Sequence, residues 1–426
     1  MGRNIVICCD GTGNEIGKTM SNVLKLFRIL TKNAKQRVYY NPGVGTIGQQ
    51  NTWQRFKQQM RGVFGLATGY GLDDDVLSAY RFLCTNYESG DRIYLFGFSR
   101  GAYTVRVLAG FINVIGLLRP DQINLAPYAF SAYKNSNSRA GIVGPNGDAN
   151  DDAQGDVSSP AVDPALAAAW HFSRVAGGYA VPIEFIGVWD TVASIIVPRW
   201  ERLSLGLQAL RYTRTNPRVK IFRQAIAVDE RRRMFRLNGW TSPQVFRPNP
   251  FDANSEVAQD IRQVWFAGVH ADIGGGYREI ESGLSKFPLL WMIEQGAAAG
   301  VIVNRAMVNH LVLGRPRKGS NHVYVPRSAT GVLHDSMTLA WRLLEYWPKN
   351  ARWREWPFRQ VFAGLYFPQA EPRAIPDGAL IHRSVLERRR LMPSYRSENW
   401  NENHEIEEDP VPDTFTAGID ETDETP

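Results

Sequence analysis

The stretch Arg92-Ile93-Tyr94-Leu95-Phe96-Gly97-Phe98-Ser99-Arg100-Gly101-Ala102-Tyr103 decides the fold. Its first half is a short apolar run, the pattern of a strand buried on both faces. Its second half opens a segment with apolar residues at Ala102, Val105, Leu108, Ala109 and Ile112, a spacing that suits an amphipathic helix. Between them stands Gly97-Phe98-Ser99-Arg100-Gly101. A serine flanked by glycines on a tight turn from strand to helix is a nucleophile elbow. The turn lifts the hydroxyl above the sheet, and the glycines leave room for neighbouring backbone. Without the strand before it and the helix after it, the pattern would be a common chance match.

Further apolar runs bounded by turn residues predict strands over Asn4–Cys9, Arg37–Tyr40, Arg92–Gly97, Pro182–Trp189 and Gln263–Val269. Helical patterns over Val23–Leu30, Asp75–Tyr87 and Ala102–Ile112 lie between them. The alternation predicts an α/β fold with a mainly parallel central sheet, helices on both faces and loop or helical insertions, of the α/β-hydrolase type. In such sheets ligands sit beyond the carboxyl ends of the strands. Four predicted strands run into polar or glycine-rich turns: Asp10-Gly11-Thr12-Gly13, the Ser99 turn, Asp190-Thr191-Val192 and His270-Ala271-Asp272-Ile273-Gly274. All four are expected on one edge.

A serine hydroxyl is a weak nucleophile and needs a base. In an α/β-hydrolase the chain order is serine, acid, histidine. Asp190 and His270 follow Ser99 in that order, each after a predicted strand. His270 would take the serine proton, and Asp190 would orient the ring and stabilise the imidazolium. Asp272 is the rival acid and His334 the rival base. The other histidines, His171, His310, His322, His382 and His404, are read as surface or structural. Gly11 and Thr12 are expected to line an oxyanion hole with the Arg100 amide, a donor of this kind contributing roughly 3 kcal/mol. Asp10 and Asp272 are read as carboxylates that support these turns from behind. This chemistry calls for no cofactor and no metal.

Two other readings of the same residues exist. Gly11 to Thr19 resembles a phosphate loop, but five residues separate Gly11 from Gly17 where the P-loop has four, and the dinucleotide fingerprint also misses by one. Asp10, Asp190 and Asp272 with His270 could gather a divalent metal, as in a phosphatase, which leaves the elbow unexplained. A binding protein with a dead site is the remaining alternative, and the intact set at Ser99, Asp190 and His270 argues against it.

The chain has 426 residues, a hydrophobic fraction of 44% and three cysteines, which give no disulfide framework. No run approaches the roughly 20 apolar residues of a membrane span. The N-terminus lacks the h-region of a signal peptide, so synthesis in a reducing cytoplasm is expected, with signal-independent secretion left open. Residues 1–337 are read as the catalytic domain, with 141–164 a mobile insertion loop. Residues 338–397 are read as a helical, aromatic-rich extension packed on it, with a short amphipathic helix over Thr338–Glu345. Residues 398–426 hold eleven acidic residues and no Lys or Arg, and are expected to be disordered. The net charge is +7, so residues 1–397 carry about +18. The arginine-dense stretch Arg202–Arg236, with Trp189, Trp200 and Trp240 nearby, suggests peripheral contact with an anionic membrane, although a core role suits Trp189 better. No specific nucleic-acid binding is expected, and the oligomeric state is not legible.

The blocks Cys9-Asp10-Gly11-Thr12-Gly13-Asn14, Tyr40-Asn41-Pro42-Gly43-Val44-Gly45-Thr46, Gly97 to Tyr103, Val188-Trp189-Asp190-Thr191-Val192 and His270-Ala271-Asp272-Ile273-Gly274-Gly275-Gly276-Tyr277 span about residues 4–300. Taken together, in that order, they resemble the α/β-hydrolase domain family that includes the catalytic domain of type VI secretion phospholipase effectors. The resemblance implies a Ser-Asp-His lipase or esterase acting on phospholipid, with the triad roles on Ser99, Asp190 and His270. Ala271 stands where that family commonly has serine. No secretion-delivery domain is legible at either end, so the implication concerns the hydrolase chemistry.

Overall fold

Side-chain alternation along Asn4–Cys9 sets the layers. Ile5, Ile7 and Cys9 pack with Ile93, Leu95, Ile186 and Val188 on one face, while Val6 and Cys8 pack with Tyr94, Phe96, Phe185 and Trp189 on the other. In the computed structural model, which describes residues 2–11, 19–43, 71–136, 164–192, 195–199, 204–208, 210–249, 253–351, 354–356 and 359–409, both faces are covered by helices.

The central sheet comprises β1 (Asn4–Cys9), β2 (Gln36–Asn41), β3 (Arg92–Phe98), β4 (Ile183–Trp189), β5 (Val219–Ala227), β6 (Asp260–Phe266), β7 (Ala379–His382) and β8 (His404–Glu407). Their order across the sheet is β2-β1-β3-β4-β5-β6-β7-β8, and all these pairings are parallel. The expected α/β class holds. Helices α1 (Asn22–Ile29), α2 (Leu72–Asn86) and α3 (Arg100–Ile115) fall where periodicity put them. The Ser21 hydroxyl caps α1 by accepting the Leu24 amide at 3.0 Å.

Three expectations change. First, β5 is a central strand that the apolar runs do not announce, because Lys220, Arg223 and Gln224 interrupt it. The polar groups are satisfied across the sheet: Arg223 donates to both carboxylate oxygens of Asp260 (2.9 and 2.7 Å), and Arg106 donates to Gln224 Oε1 (2.9 Å). Second, β6 ends at Phe266, and Ala267-Gly268-Val269 connect it to the short helix α4 (His270–Gly274). Third, the C-terminal region is more than an extension. It supplies β7 and β8, so the segment expected to be disordered from 398 contributes His404–Glu407 to the sheet. Its acids meet the body's cations: Glu407 pairs with Arg262 (3.2 Å), Glu408 with Arg383 (2.5 Å) and Glu398 with Arg231 (2.5 Å). Residues 410–426 lie outside the described residues, as does the loop expected over 141–164 except for Pro164, which opens a helix, Pro164–Val175.

The arginine-dense stretch is not a free basic face. Arg218, Arg223, Arg233 and Arg236 are buried. Arg233 and Arg236 share Glu355 (2.8 and 3.5 Å), Arg232 pairs with Glu230 (2.8 Å), and Lys220 pairs with Glu184 (2.7 Å). Trp189 and Trp240 are buried too, while Arg202 and Trp200 lie outside the described residues. Part of the stretch runs through the sheet, and its cations are spent on carboxylates or, for Arg211, Arg214 and Arg218, on backbone carbonyls. No helix among the described residues is long and apolar enough to cross a membrane.

Under the sheet, Lys25 and Lys286 are buried and share one carboxylate, Glu279 (3.1 and 2.7 Å). Burial pushes the Lys286 ammonium down to about 7, against the pull of Glu279. Glu279→Gln would leave two buried amines without a counter-charge. The expected loss is about 3 kcal/mol at pH 7, the usual effect of breaking a buried pair from one side. Urea denaturation checks it, and a variant within 0.5 kcal/mol of wild type would show the cluster to be dispensable.

Candidate active site

The turn expected to be an elbow forms because β3 passes directly into α3 with one residue between them. That residue, Ser99, has φ +56° and ψ −120°, a conformation seldom tolerated outside glycine. The flanking glycines are required by contact. A Cβ on Gly97 would collide with the backbone of Gly101, and one on Gly101 would collide with the Cys9 carbonyl at the end of β1. The Ser99 amide donates to the Trp189 carbonyl (3.2 Å), which ties the elbow to the end of β4. Ser99 itself is half-buried and Arg100 opens α3. The first amides of a helix have no intrahelical acceptor, so the Arg100 amide belongs to that set.

Asp190 ends β4, is fully buried and has φ +35°. Its Oδ2 lies 2.5 Å from His270 Nδ1. Its Oδ1 accepts the Ala227 amide at 3.0 Å. Burial by itself would push this carboxyl up, but Arg373 beside it and the hydrogen bond from His270 hold it well below the usual carboxylate range. Arg373 donates from Nη1 to Oδ1 (2.5 Å) and from Nη2 to Oδ2 (3.1 Å).

His270 opens α4 and is buried between the rings of Phe98 (4.7 Å) and Phe235 (4.9 Å). Its amide donates to Glu230 Oε2 at 3.2 Å. Burial lowers its pKa, and Asp190 offsets only part of that. With Nδ1 on Asp190, Nε2 is the remaining nitrogen, and it finds no hydrogen-bond partner among the described residues. A neutral imidazole with a free Nε2 is equipped to accept a proton.

The remaining sequence-predicted residues fall into separate networks. Asp272 does not meet the His270 ring. Its Oδ1 lies 2.6 Å from His334 Nδ1, and its Oδ2 accepts the Val269 amide at 3.1 Å, so it makes a second histidine–carboxylate pair, with Tyr277 stacked on His334. Asp10 holds its own turn, accepting from Gly11 (2.7 Å), the Tyr40 hydroxyl (2.8 Å) and the Ser21 hydroxyl. The Gly11 amide, expected to line an oxyanion hole, donates to Asp10 in this structure. Thr12 and the rest of the phosphate-loop look-alike to Lys18 lie outside the described residues. Asp10, Asp190 and Asp272 each have their own partners, and no His, Cys, Asp and Glu among the described residues group to hold a metal. His310 Nδ1 donates to the Arg315 carbonyl at 2.9 Å, and His382 is buried against Phe266, its pKa pushed down to about 3 by burial.

Two residues of this site escape sequence reasoning, Arg373 and Glu230. Arg373 sits 183 residues from its partner and carries no local signal. Glu230 follows β5, the strand that was itself missed.

The family model "T6SS, Phospholipase effector Tle1-like, catalytic domain" matches residues 3–295. The uncharacterized protein YEL023C of Saccharomyces cerevisiae is 31% identical over 261 residues, which cover 59% of this chain and 34% of that protein. The chain thus spans about a third of the length of this curated relative. A crystal structure of an uncharacterized protein from Pseudomonas aeruginosa aligns with TM-score 0.36 and 17% identity, covering 71% of this chain and 46% of that one. A structure of the Tle1 effector bound to the VgrG spike of the type 6 secretion system aligns with TM-score 0.28 and 18% identity, covering 66% and 52%. With its Ser99, Asp190 and His270 turns all inside the matched residues 3–295, the chain belongs to the Tle1-like phospholipase effector family through that family's catalytic domain.

Proposed function

We propose that this chain is a serine esterase that cleaves acyl ester bonds of phospholipids, with Ser99 as nucleophile, His270 as general base and Asp190 as the carboxylate that orients the ring. The observation that carries this reading is the strained Ser99 backbone between two sterically required glycines. Strain of this kind is kept where a hydroxyl must be presented. The unpartnered Nε2 of His270 and the bond of its Nδ1 to Asp190 support His270 as the base such a hydroxyl needs.

In this mechanism Ser99 Oγ attacks the acyl carbonyl while its proton passes to His270 Nε2. The oxyanion is met by the Arg100 amide and, from the sequence, by Thr12. Collapse expels the alcohol, which takes the proton from His270, and leaves an acyl-enzyme. Water repeats the sequence and frees the fatty acid. The phospholipid class of substrate rests on membership of the family, and the metal-dependent alternative has no open coordination at Asp190, whose oxygens are occupied by Arg373 and His270.

The test is incubation of the pure protein with a phospholipid mixture in chelator, followed by mass spectrometry. Release of fatty acid and lysophospholipid, blocked by a fluorophosphonate, is the expected result. Absence of release, or activity that needs a metal and ignores the fluorophosphonate, would overturn the reading.

A further inference from the structure

A buried carboxylate needs a compensating charge at all times. In a Ser-His-Asp site the imidazolium exists only during the reaction, so it cannot compensate Asp190 in the resting protein. Asp190 is fully buried, and the cation that faces it is Arg373. Arg373 is itself buried, with one nitrogen on each carboxylate oxygen. Its Nη2 also donates to the Phe235 carbonyl (2.5 Å), and Phe235 is one of the two rings that flank His270. The backbone of Arg373 is fastened in turn: Asn399 Nδ2 donates to its carbonyl (2.8 Å) and to that of Val228 (3.0 Å) just beyond β5.

Resting on the proposed roles of Ser99, Asp190 and His270, we propose that Arg373 is a positioning residue, the permanent counter-ion that aims Asp190 at His270, so that the segment beyond the family's catalytic domain is part of the catalytic unit. The family match ends at residue 295, whereas this guanidinium comes from the segment between the helix Leu339–Glu345 and β7. Two parallel donors set the plane of the carboxylate, with Oδ1 held by Arg373 and the Ala227 amide and Oδ2 turned to the imidazole. A bidentate guanidinium does this and an ammonium cannot.

The arrangement also decides how basic His270 is. The charged groups around it are Asp190 on β4, Glu230 and Arg232 after β5, and Arg373 from the C-terminal segment; Glu355 faces Arg373 from behind. Arg373 shares the carboxylate with the imidazole, so Asp190 pulls less strongly on the His270 proton. The ring stays neutral at rest and the carboxylate stays charged throughout.

The experiment measures kcat and KM against pH for a soluble p-nitrophenyl ester, with enzyme concentration set by fluorophosphonate titration. Arg373→Gln is expected to raise the acid limb of kcat/KM by about one pH unit, since removing a cation from this distance lets Asp190 act on His270 alone. Arg373→Lys keeps the charge and loses the fork. Its acid limb is expected near wild type and its kcat about tenfold lower, with KM unchanged. A merely structural arginine would reduce the titratable enzyme and leave the profile and kcat per titrated site alone. A folded Arg373→Gln with an unmoved acid limb would overturn the proposal. So would Arg373→Lys with wild-type kcat, which decides the matter even where Arg373→Gln fails to fold. Failure of the underlying mechanism has a different signature, because fluorophosphonate would then not label Ser99 in the wild-type protein.

Discussion

Ser99→Ala is expected to abolish ester hydrolysis, with a loss on the order of 10^6 in kcat, the usual consequence of removing the nucleophile from a triad that acts as a unit. The fold should survive. Ser99 makes no side-chain hydrogen bond that caps α3, and alanine is smaller than serine. The positive φ persists in the variant, so the elbow strain is carried over rather than relieved. Hydrolysis of a phospholipid and of a soluble ester should fall together, while the thermal midpoint stays within a few degrees of wild type. A folded Ser99→Ala protein that keeps a tenth of wild-type turnover would remove Ser99 from the mechanism, and with it the argument from the elbow.

Asp190→Asn should be the next most damaging change, costing on the order of 10^4 in kcat, since an amide in place of the orienting carboxylate favours the wrong imidazole tautomer. The geometry adds a second reason. Asp190 serves three donors besides the ring: Arg373 Nη1, Arg373 Nη2 and the Ala227 amide. An asparagine has one acceptor oxygen, so its NH2 must face either the guanidinium or His270 Nδ1. It also removes the carboxylate charge that pairs with the buried Arg373, so a loss of stability accompanies the loss of rate. Asp272→Asn is expected to cost far less, because that carboxylate holds His334 and the Val269 amide. Comparing kcat per folded molecule for the two variants decides between them. An equal or reversed ranking would move the acid to Asp272 and the base to His334.

What the sequence determined by itself was local. Short continuous apolar runs with turn residues at their ends specify β1, β3 and β4, and 3.6-residue periodicity specifies α1 to α3. Strand, Gly-x-Ser-x-Gly and helix are contiguous, so the elbow is visible in twelve residues. Asp190 and His270 were visible as polar residues just beyond apolar strands, and the parallel sheet brings those ends to one edge. What only the tertiary structure decided was the pairing of charges and polar groups across long separations. Composition shows Arg202–Arg236 as an exposed basic face and residues 398–409 as solvated acid, yet each is largely spent on partners from other elements. The same pairing hides β5, whose Arg223 is neutralised by Asp260 on the neighbouring strand. It hides Arg373 most completely, since nothing near residue 373 marks it as the partner of Asp190. Backbone periodicity reports what a residue must do with its immediate neighbours. A buried ion pair depends on which distant charge the fold delivers, and no local pattern in the chain encodes that.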